Sequence, residues 1–364
     1  MKKAVFIAAT GQHVGKTTLS LGILAALQKR YSSVGFLKPV GQELVRTKDG
    51  LTIDKDAVLF KDHFGLDSDY ATLSPVHCPA GFTRDFLDEK VDPDTLFNQV
   101  EESWQKLRAQ NEFMVVEGTG HVGVGSLFGL NNARVAKLLN IEMVIIATGG
   151  IGSSIDELSL NIEMCKSYDV PIKGVILNKV LDDKREMILE YFPKALKRFN
   201  VPLIGCVPFT PLLSRPSMKD FSNLFKSPFV SGSEHAFRHF HDIRLVAGSL
   251  ESYLEEMQPN QLIITPACRE DIIIATIGKH LREKQSKRAW ETGLILTGHT
   301  PPRYELLRRT QSLDLPIIYA PLCSYDVMKK VSTFNAKILR EDTAKVNEAI
   351  NTVEKHIDFE AICR

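Results

Sequence analysis

The side chains best suited to chemistry lie between Ala4 and Ser20, in the run AVFIAATGQHVGKTTLS. Gly11 and Gly15 let backbone N–H groups close on a polyphosphate, Lys16 can reach its β and γ oxygens, and the Thr17 hydroxyl can hold Mg²⁺. Such groups work only when something aims them. Val5-Phe6-Ile7, β-branched and aromatic, predicts a buried strand before the glycines, and a helix is predicted from Lys16 to Gln28 after them. The N-terminus of that helix adds partial positive charge, so the unit predicts a bound nucleoside triphosphate, ATP with Mg²⁺.

The pattern departs from the usual phosphate loop, which has a glycine five positions before the Gly-Lys pair, where this chain has Thr10. Gly15-Lys16-Thr17-Thr18 is kept. A chance tripeptide at an ordinary strand-to-helix turn competes with this reading, and the position directly after an apolar strand weighs against it. Gly11 stands where partition-type ATPases reading KGGxGKT carry a lysine, which separates the chain from that subgroup.

Other candidates follow strand ends. Val34-Gly35-Phe36-Leu37 predicts a strand, and Lys38 just beyond it either meets a phosphate or carboxylate or is a solvated turn lysine. Asp54 and Asp56 open a predicted helix, as cap and dipole partners or as a source of one metal oxygen. Phe113 to Val116 predicts a buried strand delivering Glu117 into a glycine-rich turn, where an acid can hold Mg²⁺ or polarise a water. Gly174 to Leu177 is a further strand, and the Asn178 amide at its end could read a base.

Composition narrows the field. In 364 residues, 45 Lys and Arg balance 44 Asp and Glu, so no overall basic field draws in nucleic acid. No apolar run reaches membrane length, and Met1-Lys2-Lys3 enters the first strand without a cleavable signal's small-residue site; no membrane and a cytoplasmic location are expected. Six cysteines without a Cys-x-x-Cys pair are expected to be reduced thiols in or near the core.

Strand and helix alternate through Met143–Ala147, Ser154–Ser167 and Pro202–Pro208, which predicts a doubly wound parallel α/β sheet. Asp94–Gln110 is a predicted helix with Leu96, Val100, Trp104 and Leu107 as a core stripe. Residues 213–240, rich in Pro, Ser and Gly, read as a connector with short helical turns. A second strand-and-helix series follows around Leu262–Pro266, Gly293–Gly298 and Leu315–Tyr319, a smaller α/β domain assigned to 241–358 and including a helix Thr343–His356.

With these motifs in this order, residues 1–212 resemble dethiobiotin synthetase, an ATP-dependent ligase of the P-loop NTPase fold. TGQHVGKT stands at that family's phosphate loop, Phe36-Leu37-Lys38-Pro39-Val40 at its lysine-proline strand end, Lys55-Asp56-Ala57 at its magnesium aspartate, and Val116-Glu117-Gly118 at its second magnesium acid. Asn178 falls on the adenine-reading asparagine and Gly205-Cys206-Val207-Pro208 on the adenine pocket. The resemblance implies nucleotide contacts from Gly11, Gln12, His13, Val14, Gly15, Lys16, Thr17 and Thr18, with Asn178, Val207 and Pro208 at the base. It implies Mg²⁺ on Thr17, Asp56 and Glu117, and catalytic roles for Lys16, Lys38 and Glu117.

The substrate side departs: Gly41-Gln42-Glu43 replaces the small run that receives the family's diamine, and His121-Val122-Gly123 replaces a Gly-Trp-like turn. His121 is a turn histidine or a catalytic one. The second series is similar to the DRTGG domain, with Cys268 for its aspartate and His299 for its second glycine. The pairing resembles the front of large bacterial phosphotransacetylases; because the chain ends at Arg364, acetyl-phosphate chemistry is not expected of it. Three functions follow: an MgATP-binding regulatory or accessory protein with weak ATPase activity, an ATP-dependent ligase acting on a carboxylate or carbamate, and an interaction module for a separate metabolic enzyme. A small ligand for the second domain is expected, and the resemblance implies a homodimer.

Overall fold

The computed structural model of the chain describes residues 3–47, 49–288, 290–310 and 313–364, with backbone only at 307 and 309. The Met1-Lys2 start, on which the absence of a leader was argued, lies outside these residues. Two compact units form the chain: Met1–Thr210 together with Ile338–Arg364, and Pro211–Lys337.

Six parallel strands build the first unit: β1 (Lys3–Ala9), β2 (Val34–Leu37), β3 (Phe113–His121), β4 (Met143–Thr148), β5 (Ile172–Val180) and β6 (Leu203–Pro208). Their order is β6-β5-β4-β1-β3-β2. Val5 to Ala9 are all fully buried, the continuous apolar run of a strand covered on both faces. From β1 the chain runs through helix α1 (Lys16–Gln28) to the β2 edge, returns through β3, and crosses β1 to build the other half. That reversal puts the carboxyl ends of β1 and β3 side by side, the place where an open α/β sheet binds its ligand. The expected doubly wound sheet is therefore present.

Two segments differ from the sequence expectation. The helix Thr343–His356 belongs to the first unit, not to the second. It lies along α1, with Val346, Ala349 and Val353 fully buried, and the chain beyond it pairs Gly205 with Ile357 on β6. Gly22 of α1 makes this crossing close, since a Cβ there would stand 2.3 Å from Val353 Cβ. Lys29 and Glu354 bridge the same helices at 2.7 Å. Its amphipathic spacing shows that the helix is buried, but not against which of two sheets.

The second departure is the connector. Residues 218–225 form a helix capped by a reciprocal Ser217–Asp220 box, and Met218 and Phe221 are fully buried in the core of the second unit. Strand β7 (Phe229–Ser231) adds antiparallel to one edge of that unit's sheet. The rest of the sheet is parallel: β8 (Asp242–Leu245), β9 (Gln261–Pro266), β10 (Thr292–Thr297) and β11 (Ile317–Ala320), in the order β7-β11-β10-β9-β8. The segment is thus part of the second fold, because its apolar residues are core.

The cysteines divide. Cys165 and Cys206 are buried and Cys78 and Cys363 half-buried, whereas Cys268 and Cys323 are exposed, against the expectation for all six. Burial pushes Cys78 and Cys165 up to about 12, which leaves them as unreactive thiols. No helix of the described residues is long and apolar enough to cross a membrane.

Two measurements check this architecture. Helix propensity favours Gly22→Ala by roughly 1 kcal/mol, but the clash with Val353 costs about 1–3 kcal/mol, so a net loss of stability is expected; an unchanged or raised urea midpoint would contradict the close crossing. Alkylation under native conditions, followed by mass spectrometry, should mark Cys268 and Cys323 well before Cys78 and Cys165, and equal rates at all four would contradict the assigned burial.

Candidate functional site

The phosphate loop owes its shape to two left-handed residues, His13 (φ 57°) and Gly15 (φ 101°). Gly15 is obligatory: a Cβ there would lie 2.2 Å from Asn178 Nδ2. Gly11 is not, because a Cβ there meets only Val14 Cγ2 at 3.7 Å. The end of β5 pins the loop from behind: Asn178 Nδ2 donates to Val14 O at 2.8 Å and Lys179 Nζ to His13 O at 2.6 Å. In a trans peptide the carbonyl and the next N–H point opposite ways. Drawing these two carbonyls toward β5 therefore turns the N–H groups of Val14 and Gly15 toward the loop's open side. Lys179 is a brace that the sequence reading did not name, and Asn178, expected to read a base, spends an amide hydrogen on the loop.

Thr10, the departure from the usual pattern, also has a structural partner. Its buried hydroxyl donates to Glu157 Oε2 at 2.9 Å, on the helix Gly152–Ser167. Lys16 lies over the loop, with Nζ 3.4 Å from Gly11 O. No side chain caps the N-terminus of α1 and no acid occupies its first turn. Gln12 and His13 are exposed at the loop's tip, Val14 is buried, and Thr18 continues the first turn of α1.

Three chain segments bring their charges to Thr17. The Thr17 hydroxyl is 3.3 Å from Asp56 Oδ1 and 3.2 Å from Glu117 Oε1. Lys38 Nζ lies 2.7 Å from Asp56 Oδ2 and 2.8 Å from the same Glu117 oxygen. Lys38 is not a solvated turn lysine: its side chain is 4% exposed. Glu117 is fully buried, and its second oxygen, Oε2, has no hydrogen-bond partner among the described residues. The turn expected directly after Glu117 does not form: the strand runs on to His121 across a register shift against β1. Gly118 is required there, since a Cβ would stand 2.5 Å from Asn132 Oδ1.

The two aspartates have separate jobs. Asp54 Oδ1 caps helix α2 (Lys55–Phe64) by accepting from Asp56 N at 2.9 Å, while Oδ2 accepts from the N–H groups of Gln42 and Glu43 at 3.1 and 3.3 Å. Burial raises the Asp54 carboxyl to about 6. Asp56, two residues further, points at Thr17. Burial works against the ammonium of Lys38, but the charges of Asp56 and Glu117 outweigh it and hold Lys38 above the ordinary lysine range. Burial would also raise Asp56, yet Lys38 holds it below its usual value; burial, reinforced by Asp56, leaves Glu117 raised. One ammonium thus stands between two carboxylates, 2.7 Å from Asp56 and 2.8 Å from Glu117.

Not every expected residue joins this cluster. Val207 and Pro208 end β6, beside the β5 end that carries Asn178, whereas Lys38, Asp56 and Glu117 gather on the β2–β3 side. His121 is exposed, and its Nδ1 accepts from Gly123 N at 3.1 Å, the bond of a turn histidine. In the second unit Cys268 and His299 are exposed, and Arg269 pairs with Asp271 at 2.8 Å and donates to Gly248 O at 3.0 Å.

Residues 3–217 match the family model described as AAA domain, and residues 222–334 match the DRTGG domain. The phosphate acetyltransferase of Pseudomonas aeruginosa is 27% identical over 98% of this chain and 51% of its own length. The chain spans about half the length of the curated phosphate acetyltransferases it matches. The ATP-dependent dethiobiotin synthetase BioD of Nitrosopumilus maritimus is 27% identical over 59% of this chain and 93% of its own length. Among solved structures, the MinC:MinD cell division complex of Aquifex aeolicus aligns with TM-score 0.38 at 17% identity, over 58% of this chain and 83% of the other.

The separate roles of the aspartates can be tested by stability. Asp54→Ala removes a cap and leaves two backbone donors without their acceptor, so it should cost about 2–4 kcal/mol. A urea midpoint within experimental error of the parent would mean that Asp54 does not anchor this corner.

Proposed function

The chain belongs to the AAA domain family over residues 3–217, followed by a DRTGG domain, and on that premise we propose that its first unit binds MgATP in a regulatory or accessory role in metabolism, with weak hydrolysis. The observation that carries this reading is the meeting of Thr17 with Asp56 and Glu117 at the end of the phosphate loop. Two carboxylates and a hydroxyl suit Mg²⁺, which keeps several waters and takes its remaining ligands from phosphates. Among the described residues no cluster of three or more His, Cys, Asp or Glu offers an all-protein cage. The buried Glu117 oxygen without a partner among the described residues fits a charged guest.

In this reading Lys16 and the N–H groups of Val14 and Gly15 bind phosphate, and Thr17, Asp56 and Glu117 hold the metal. Bound Mg²⁺ supplies neutralisation of phosphate charge. Asn178 and Lys179 keep the loop open, and Lys38 faces the acceptor position. The accessory role is supported by Gln42 and Glu43, whose N–H groups donate to Asp54 Oδ2 and are thereby withdrawn from any substrate. It is also supported by connectivity, since the DRTGG unit leaves and re-enters the nucleotide unit at Thr210 and Ile338. That unit would take a small ligand or join two copies of the chain, and a separate metabolic enzyme is the class of partner such a protein would serve.

The match along 93% of a dethiobiotin synthetase favours a second reading, an ATP-dependent ligase in which Lys38 receives a carboxylate or carbamate. Formation of ADP that requires an added carboxylate or amine would select it. The primary test is calorimetric titration with ATP, with and without Mg²⁺, beside Lys16→Ala. Magnesium-dependent binding that weakens by more than roughly tenfold in the variant is expected from the loss of a charge-assisted contact. Folded parent protein that takes up no ATP would sink the nucleotide reading.

A further inference from the structure

The seat that Thr17, Asp56 and Glu117 would offer a metal already holds a cation that belongs to the chain. Lys38 Nζ sits on Asp56 Oδ2 at 2.7 Å and Glu117 Oε1 at 2.8 Å, and the Thr17 hydroxyl reaches the same two carboxylates at 3.3 and 3.2 Å. Glu117 Oε1 is thus shared between the ammonium and the hydroxyl. The lysine is held there by its own strand end: Lys38 N donates to Leu73 O at 2.8 Å, and the following Val40 pairs with Val76. Its side chain has almost no contact with solvent.

Mg²⁺ demands oxygens at about 2.0–2.1 Å in octahedral array. A dication at that distance from Glu117 Oε1 would share the oxygen with an ammonium, two positive charges within about 5 Å in a place that water does not screen. Both cannot hold the pair of carboxylates. We propose that Lys38 is the resident counter-cation of this seat, keeping the two carboxylates together and closed to free divalent metal until a nucleotide brings Mg²⁺ in and Lys38 turns off them. The idea rests on the MgATP reading and adds an order to it: the nucleotide-free protein rejects the metal alone, and entry of the metal releases an ammonium beside the phosphate loop. Lys38 is a positioning residue in this role.

The test removes the ammonium and reads the metal without nucleotide. Mn²⁺ is titrated into nucleotide-free parent, Lys38→Met and Lys38→Gln, with free Mn²⁺ followed by electron paramagnetic resonance. Both variants should bind Mn²⁺ roughly tenfold or more tightly than the parent, and the metal should raise their melting temperature while leaving the parent's unmoved. Affinities within roughly twofold of the parent, with no thermal response, would overturn the proposal. If neither variant folds, the parent itself gives the answer through the ¹⁵N ammonium resonance of Lys38 on adding Mg²⁺ and ADP. A shift away from the ion-paired signal supports displacement, and an unchanged signal with nucleotide demonstrably bound overturns it. The nucleotide-free titration reads Lys38 by itself, so its failure is distinct from a failure to bind ATP.

Discussion

Glu117 stands on a strand that water does not reach, and its carboxylate is tolerated because Lys38 meets it at 2.8 Å. Taking either charge out of water alone is costly, and removing one partner of such a pair leaves the other buried and unpaired, a loss of about 3–5 kcal/mol. Much of the local architecture satisfies this one requirement. Strands β2 and β3 must be neighbours so that Lys38 reaches Glu117. The capped start of α2 must bring Asp56 to the other side of the ammonium. Helix α1 must begin where Thr17 faces both acids. Each of these placements would be arbitrary for packing by itself; together they are what a buried ion triad needs.

The phosphate loop depends on a second constraint of the same kind, applied from the opposite side of the sheet. Its open face presents N–H groups because β5 holds two carbonyls away from it, through Asn178 and Lys179. An amide and an ammonium serve as struts at the back of the loop, and the cradle is shaped before any guest arrives. Thr10 belongs to this scaffold too: a hydroxyl fits where the common pattern has a glycine because Glu157 accepts from it. The missing glycine therefore does not signal a lost site.

The strands, the glycine loop, Thr17 and Glu117 were legible in the sequence, because a parallel sheet writes each buried strand as a contiguous apolar run with functional groups at its end. The triad was only partly legible. Lys38 could be placed past a strand end, but whether it met solvent, phosphate or carboxylate depended on strand order, which local pattern does not carry. Asp54 and Asp56 look alike as acids in a helix's first turn, and only the backbone geometry separates the cap from the residue that faces Thr17. The return of Thr343–His356 to α1 was illegible for a plainer reason. Its partners on α1 lie more than 300 positions away, and Gly22 opposite Val353 becomes meaningful only after the two helices are paired.

That return gives the connectivity a physical consequence. The DRTGG unit is connected at both ends to the first unit, and its second connection runs into a helix packed on α1, the element that begins with Lys16 and Thr17. A helix held by a close glycine crossing has little freedom to shift without repacking, since interiors are dense and respond in discrete steps. Any change in the seating of α1 must therefore be accommodated at the Val353 face of Thr343–His356. The sequence order that made the C-terminal helix hard to assign is what completes the first unit from both ends of the chain.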